Sequence, residues 1–294
     1  MAAQAPFSQR GQATVEWVGL VGLVALAFAV LAAVAGIALP GAALARTIAG
    51  KIVCGIGFEG ACLLEKTPLV SAYGAPLAAQ VADHTPQIRY EAGMKGLPID
   101  YRECREDSCG AGPEKLRVWA TDNGLPASAF THIVDCRPGE LQTPGADCGG
   151  DAAGNLYIQY WLYYTGSATG EGSTPLKGVI RTVSAAIGHP TYHRDDWESL
   201  QLRIHPDGAV DSRASSHLGY GPGWMPASRA GYTVSGGSHA GTVEPADFAR
   251  LTPAARLTLI PLEPIAEAEP DTEFAITPPW RKKVWFDPEY EGTD

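Results

Sequence analysis

Charged side chains are scarce in this sequence, and basic ones scarcer. Asp, Glu, Lys and Arg make up 18% of the 294 residues, with 22 Lys and Arg against 32 Asp and Glu. A surface that tracks nucleic-acid phosphates needs clustered cations, and the one dense run is Arg281-Lys282-Lys283, so no nucleic-acid partner is expected. Neither a phosphate-cradling P-loop nor a dinucleotide fingerprint occurs. The Gly-x-Ser-x-Gly elbow of serine hydrolases is missing too; Gly236-Gly237-Ser238-His239-Ala240-Gly241 comes near it in the wrong register. No cysteine pair has C-x-x-C spacing and no paired histidines follow, which argues against a structural zinc site. No internal repeat of fixed period is visible. These absences do not amount to disorder, because 45% of the residues are hydrophobic, and the 34 Gly and 23 Pro fit many short strands joined by turns.

From Trp17 to Leu39, 23 consecutive residues carry no charge. As a helix they would span roughly 34 Å, enough to cross a bilayer core and longer than a cleaved signal peptide requires. A retained transmembrane helix over 17–39 is therefore expected. The residues ahead of it, Arg10-Gly11-Gln12-Ala13-Thr14-Val15-Glu16-Trp17, resemble the processing site of type IV prepilins, particularly the small pilins and pseudopilins of Tad systems. That resemblance makes Gly11 the residue before the cut and Glu16 the fifth residue of the mature chain, and implies a prepilin peptidase and a pilus-type assembly as partners. It also implies a cytoplasmic N-terminus and an extracytoplasmic remainder. The flanking charges, Arg10 before the helix and Arg46 and Lys51 after it, mildly favour the opposite topology.

Six cysteines fall in close pairs: Cys54 with Cys62, Cys104 with Cys109, and Cys136 with Cys148. In an exported chain these read as three local disulfides. The organisation expected is a leader and helix start over 1–16, the transmembrane helix over 17–39, a stalk over 40–94 holding the loop between Cys54 and Cys62, and a β-sandwich over 95–294. Short segments such as Pro98–Tyr101, Leu116–Trp119 and Phe130–Val134 read as strands. Tyr157–Tyr164 is a near-continuous aromatic and β-branched run, as in a central strand buried on both faces. Glu263–Glu273, rich in acids, reads as an exposed loop, and the Trp- and Phe-bearing end from Pro278 to Glu289 as a segment packed back on the domain.

Chemistry concentrates in His193-Arg194-Asp195-Asp196-Trp197-Glu198, which leads into an alternating strand with Leu200, Leu202 and Ile204 on one face. The same parity puts Asp196 and Glu198 on the core side. Two inward carboxylates need compensation: a divalent cation shared with His193, a buried Arg such as Arg181, or protonation of one carboxyl. Oxygen ligands with one imidazole suit Ca²⁺, Mg²⁺ or Mn²⁺. The remaining histidines, His84, His132, His189, His205 and His239, are isolated in the sequence and carry no assigned role.

His193-x-x-Asp196-Trp197-Glu198 resembles the G-H-R-H-D-W-E heptapeptide of necrosis- and ethylene-inducing-like proteins. Tyr157–Tyr164 and Ser215-Ser216-His217-Leu218-Gly219-Tyr220 match flanking segments in order. The related vacuolar protein sorting sixty-two domain shares the H-x-x-D-W-E pattern and a Trp-rich end like Trp285-Phe286-Asp287-Pro288-Glu289. The resemblance implies a mainly β, antiparallel sandwich with a divalent cation at one pole, held by His193, Asp196 and Glu198. Where toxin-like members have a fourth, Asp ligand, this chain has Thr165-Gly166-Ser167, leaving Ser167, Glu171 or water; where they have a second motif His, it has Asp195. Both departures weaken any transfer of toxin activity. His217 would contact the ligand or back up the site, or merely cap a strand end, and Trp197 lies between the acids. The expected function is a single-pass, membrane-anchored envelope protein whose outer domain binds a cation and a polar ligand such as a glycan or lipid head group. The rivals are a metal-dependent hydrolase with Glu198 or His217 as base, and a minor pilin or pseudopilin.

Overall fold

A strand that offers no polar face to water has to be covered on both sides, and β3 (Leu156–Ala168) is such a strand, buried from Leu156 to Thr165. It lies between β2 (Ser128–Asp135) and β4 (Tyr192–Ile204), both antiparallel to it, as the aromatic run predicts. The computed structural model describes residues 67–294 except 92–93, 95, 113–117, 140–141, 169–191, 216–218, 221–222, 228–231, 235, 244–249 and 293–294. The expected span at 17–39, Gly11, Glu16, Cys54, Cys62, Glu171, Arg181 and His217 lie outside the described residues. Among the described residues no helix is long and apolar enough to cross a membrane.

Two sheets face each other. The larger runs β10-β2-β3-β4-β5-β6, adding β5 (Val210–Ala214), β6 (Met225–Pro226) and β10 (Thr258–Pro261). The smaller runs β8-β7-β1-β9, from β1 (Ile88–Tyr90), β7 (Tyr232–Val234), β8 (Gly241–Thr242) and β9 (Arg250–Thr252). The molecule is mainly β and a sandwich, but not wholly antiparallel: β10 runs parallel to β2 and β1 parallel to β7, because long excursions bring distant strands back in the same direction. Pro98–Tyr101 is not a strand. Ile99 N–H bonds to the Tyr163 carbonyl, after which Asp100 folds the chain into a turn by accepting from Arg102 N–H at 3.0 Å.

Ile158, Tyr160, Leu162 and Tyr164 of β3 pack with Ile88, Tyr90, Tyr232 and Val234 of the smaller sheet. The alternate residues Trp161 and Tyr163 face a second cluster with Ile99, Tyr101, Phe130, Trp197, Trp280 and Trp285. Helix α1 (Pro68–Asp83) is capped by Thr67, whose hydroxyl accepts from Val70 N–H at 3.2 Å, and is kinked at Gly74 and Pro76. It docks through Val81, whose carbonyl accepts from Tyr160 Oη at 2.6 Å. Two disulfides, Cys104–Cys109 and Cys136–Cys148, pair as the spacing predicts. The third expected bond, between Cys54 and Cys62, falls on residues outside the described ones.

Glu263–Glu273 is not simply a loop. It opens with helix α2 (Glu263–Ala268), and Glu263 accepts from Tyr73 Oη at 2.5 Å, from Ile133 N–H at 3.2 Å and pairs with His132 at 2.7 Å. Its acids read as solvated because His132, a lone buried histidine in β2, gives no sign in the sequence of being their partner. The C-terminal end does pack back. Gln159 Nε2 donates to the Val284 carbonyl at 2.8 Å, and Arg213, buried between the rings of Tyr220 and Trp224, donates to the Pro288 carbonyl at 2.5 Å. Glu289 closes the clasp, accepting from Tyr157 Oη at 2.5 Å, Arg203 Nη1 at 3.1 Å and Trp224 Nε1 at 2.5 Å. Glu289→Ala strands three buried or half-buried donors at once, so it should cost about 2–3 kcal/mol. In scanning calorimetry the midpoint should drop by about 5–10 °C. A drop under about 2 °C would mean that apolar burial alone holds the tail.

Candidate functional site

β4 is longer than its outer partner. β5 pairs with it only from Ile204↔Val210 to Leu200↔Ala214, after which Ser215 caps the ladder: Ser215 N–H donates to the Ser199 carbonyl at 2.8 Å and Ser199 N–H to Ser215 Oγ at 2.6 Å. Beyond that point, among the described residues, no strand continues the sheet. A cavity of about 390 Å³ opens at this bare edge, lined by His193, Asp196, Glu198 and Ser215 on one side. Ala275, Ile276, Thr277 and Lys282 line it from the C-terminal segment, and Trp161, Trp197 and Tyr220 contribute aromatic wall.

The alternation expected of β4 holds through the motif. Asp196 and Glu198 share a face with Leu200 and are 3% and 5% exposed, while Trp197 points into the aromatic cluster on the other face. Glu198 Oε2 accepts from Ser215 Oγ at 2.7 Å. Burial, and then the negative charge of Asp196, push the Glu198 carboxyl well above its ordinary range; the Ser215 bond and the Lys282 charge oppose this without reversing it. His193 is half-buried, with Nε2 3.9 Å from Asp196 Oδ1. Ser167, opposite His193 in the β3–β4 register, donates to the Ser238 carbonyl at 3.4 Å. The indole N–H of Trp197 is buried with no hydrogen-bond partner among the described residues.

His239 belongs to this cluster although it is far away in sequence, where its isolation gives it no role. The residue is 4% exposed, and its ring stacks on Tyr164 at 3.8 Å and sets Nδ1 2.9 Å from Asp196 Oδ2. No spacing signal could have found it, because the contact crosses from the smaller sheet to the larger. Asp195 likewise reads in the sequence only as a departure from the motif. It is buried, and burial pushes its carboxyl up, but the bonds from Arg105, Tyr163 and Ala275 N–H outweigh that and leave it lowered. Asp195 (φ 59°) and His239 (φ 54°) are the two non-glycine residues with positive φ among those described, and both adjoin Asp196. Such backbone costs about 1–2 kcal/mol per residue, and strain of this kind collects where a site is held in a required shape. Gly219, at φ 96°, is obligatory for space as well: a Cβ there would collide with the Glu291 carbonyl oxygen.

In donor chemistry, two carboxylates and an imidazole at an open cavity fit a hard divalent cation. Geometrically, His193 and Asp196 approach as a pair, and among the described residues no three His, Cys, Asp or Glu side chains converge as a closed ligand set. Glu198 also makes the domain's stability depend on pH. A carboxyl whose value is raised on folding favours the folded state below its ordinary value of 4.5 and loses that contribution as pH rises toward the folded value. With chelator present, Glu198→Gln should therefore raise the midpoint near pH 7 by about 2–4 °C. The gain should vanish below the ordinary carboxyl value; an equal gain at every pH would show that charge is not its cause.

No family profile matches the chain, and no curated protein matches it. Among solved structures it is similar to NLPPya in complex with glucosamine, at 15% identity over 72% of this chain and 88% of that one, with a TM-score of 0.36. It is similar also to a structure described as a toxin fold for microbial attack and plant defense, at 16% identity with the same coverage and a TM-score of 0.38. NLPPya in complex with mannosamine follows at 14% identity and a TM-score of 0.35. All three likenesses are distant.

Proposed function

We propose that this chain is a membrane-tethered binding protein whose outer β-sandwich takes up a divalent cation and, with it, a polar ligand such as a glycan or lipid head group. The observation that carries the reading is the acid pair. Asp196 and Glu198 are withdrawn from bulk water yet line a cavity that opens to it, and the nearby Ser215 and Lys282 leave Glu198 pushed well above its ordinary range. A site built this way attracts positive charge, because a bound cation relieves the repulsion between the carboxylates and the cost of their burial together.

His193, Asp196 and Glu198 would hold the cation, which would supply a hard Lewis-acidic point able to grip hydroxyl or phosphate oxygens. The protein's own groups then divide the remaining work. Ser215 holds Glu198 by its Oε2 and His239 holds Asp196 by its Oδ2, so each carboxylate keeps one oxygen away from these bonds. Trp161, Trp197 and Tyr220 offer apolar wall. The tether rests on the uncharged run from Trp17 to Leu39.

Calorimetric titration of Ca²⁺, Mg²⁺ and Mn²⁺ into the purified full chain tests the site. One equivalent should bind, and Asp196→Asn or Glu198→Gln should abolish the signal while circular dichroism stays unchanged. No heat at millimolar metal, or binding that both variants retain, would sink the cation.

A further inference from the structure

Arg105 lies inside the small loop closed by Cys104–Cys109, distant in sequence from both walls of the cavity, yet it reaches both. Its guanidinium grips Asp195 in a fork, Nε to Oδ1 at 3.1 Å and Nη2 to Oδ2 at 2.8 Å. The same Nη2 donates to the Glu273 carbonyl at 2.9 Å, and the guanidinium sits 4.5 Å above the Phe274 ring. Asp195 Oδ2 in turn accepts from Ala275 N–H at 2.9 Å, and Arg194 Nη2 returns to the Arg105 carbonyl at 3.1 Å. The result is a closed ring of bonds joining the disulfide loop, β4 beside Asp196, and the segment that continues as Ala275, Ile276 and Thr277 in the cavity wall.

We propose that Arg105 and Asp195 are positioning residues of the cavity: together they clip the Ala275–Thr277 wall to the strand that carries Asp196 and Glu198, and so set how tightly the site holds what enters it. Three independent features point this way. A planar fork fixes direction as well as distance, which a single charge contact does not. Asp195 spends left-handed backbone in mid-strand to aim its carboxylate at the wall, and both of its oxygens are fully engaged there. The clip also spans two segments that share no sheet ladder with each other, so its hydrogen bonds supply a directional join beside the ring contact of Trp197 with Phe274.

The proposal rests on the cation-binding reading only for its affinity arm. Hydrogen–deuterium exchange on the purified full chain, read over residues 273–277, compares the native sequence with Arg105→Ala and with Asp195→Asn; Asn tolerates the same backbone and removes only the charge. Exchange there should quicken about tenfold or more in both, and Mn²⁺ affinity should fall about tenfold. Arg105→Lys, which keeps the charge but loses the fork, should recover part of that affinity. Asp211→Asn, which removes ion pairs to Arg203 and His205 at the opposite end of β4, should lower the thermal midpoint and leave both readouts unmoved. If Asp195→Asn fails to fold, Arg105→Ala carries the test, since the Arg105 side chain is 35% exposed. Unchanged exchange over 273–277 overturns the clip, and faster exchange with unchanged Mn²⁺ affinity reduces it to a structural clasp. A native chain that takes up no Mn²⁺ defeats the cation reading instead, and exchange alone then decides whether the clip holds the wall.

Discussion

The constraint on which this fold depends is that β3 must be hidden on both faces. Its aromatic side chains alternate between two cores, so each face needs a cover, and neither cover is supplied by neighbouring sequence. One face is closed by short strands drawn from before β2 and after β6, the other by α2 and the C-terminal segment. Because β4 is registered to β3 along its whole length, the same pairing that builds the core also fixes where His193, Asp196 and Glu198 fall. The cavity is the place where this long pair outruns the strand outside it.

Burial and charge are in tension there. A carboxylate pair beneath a core face is costly, and the fold answers with single hydrogen bonds rather than with a saturating salt bridge. Asp135, by contrast, is buried under a full fork from Arg137, and Asp195 under one from Arg105. The molecule can neutralise a buried acid completely, and at Asp196 and Glu198 it does not do so with the groups described.

Much of the larger sheet was legible because its strands announce themselves. Tyr157–Tyr164 is too apolar to be anything but central, and Leu200, Leu202 and Ile204 fix a parity that carries back to the acids. The disulfides of the β-rich part followed from spacing alone. What was illegible depends on contacts that sequence distance conceals. The strands of the smaller sheet are two or three residues long, below the length at which a period shows. Helix α1 carries Gly74 and Pro76 inside it and so reads as a linker. His132, His205 and His239 each look solitary until the fold sets an acid beside them. Asp195 looks only like a departure from the motif, standing where its second His belongs, when its carboxylate turns to the opposite face and bonds the cavity wall.

The smaller sheet also dictates an order of events. β1 pairs with β7 on one side and β9 on the other, so Ile88 finds its partners at Tyr232 and Thr252. Nothing encoded between β1 and β7 can complete that sheet, and closing so long a loop is slow relative to forming the β3–β4 hairpin. While the chain emerges from the ribosome, the Tyr160 and Tyr164 face of β3 therefore waits uncovered until the last fifth of the protein arrives. The aromatic strand that makes the finished domain robust is, for that interval, its most adhesive surface.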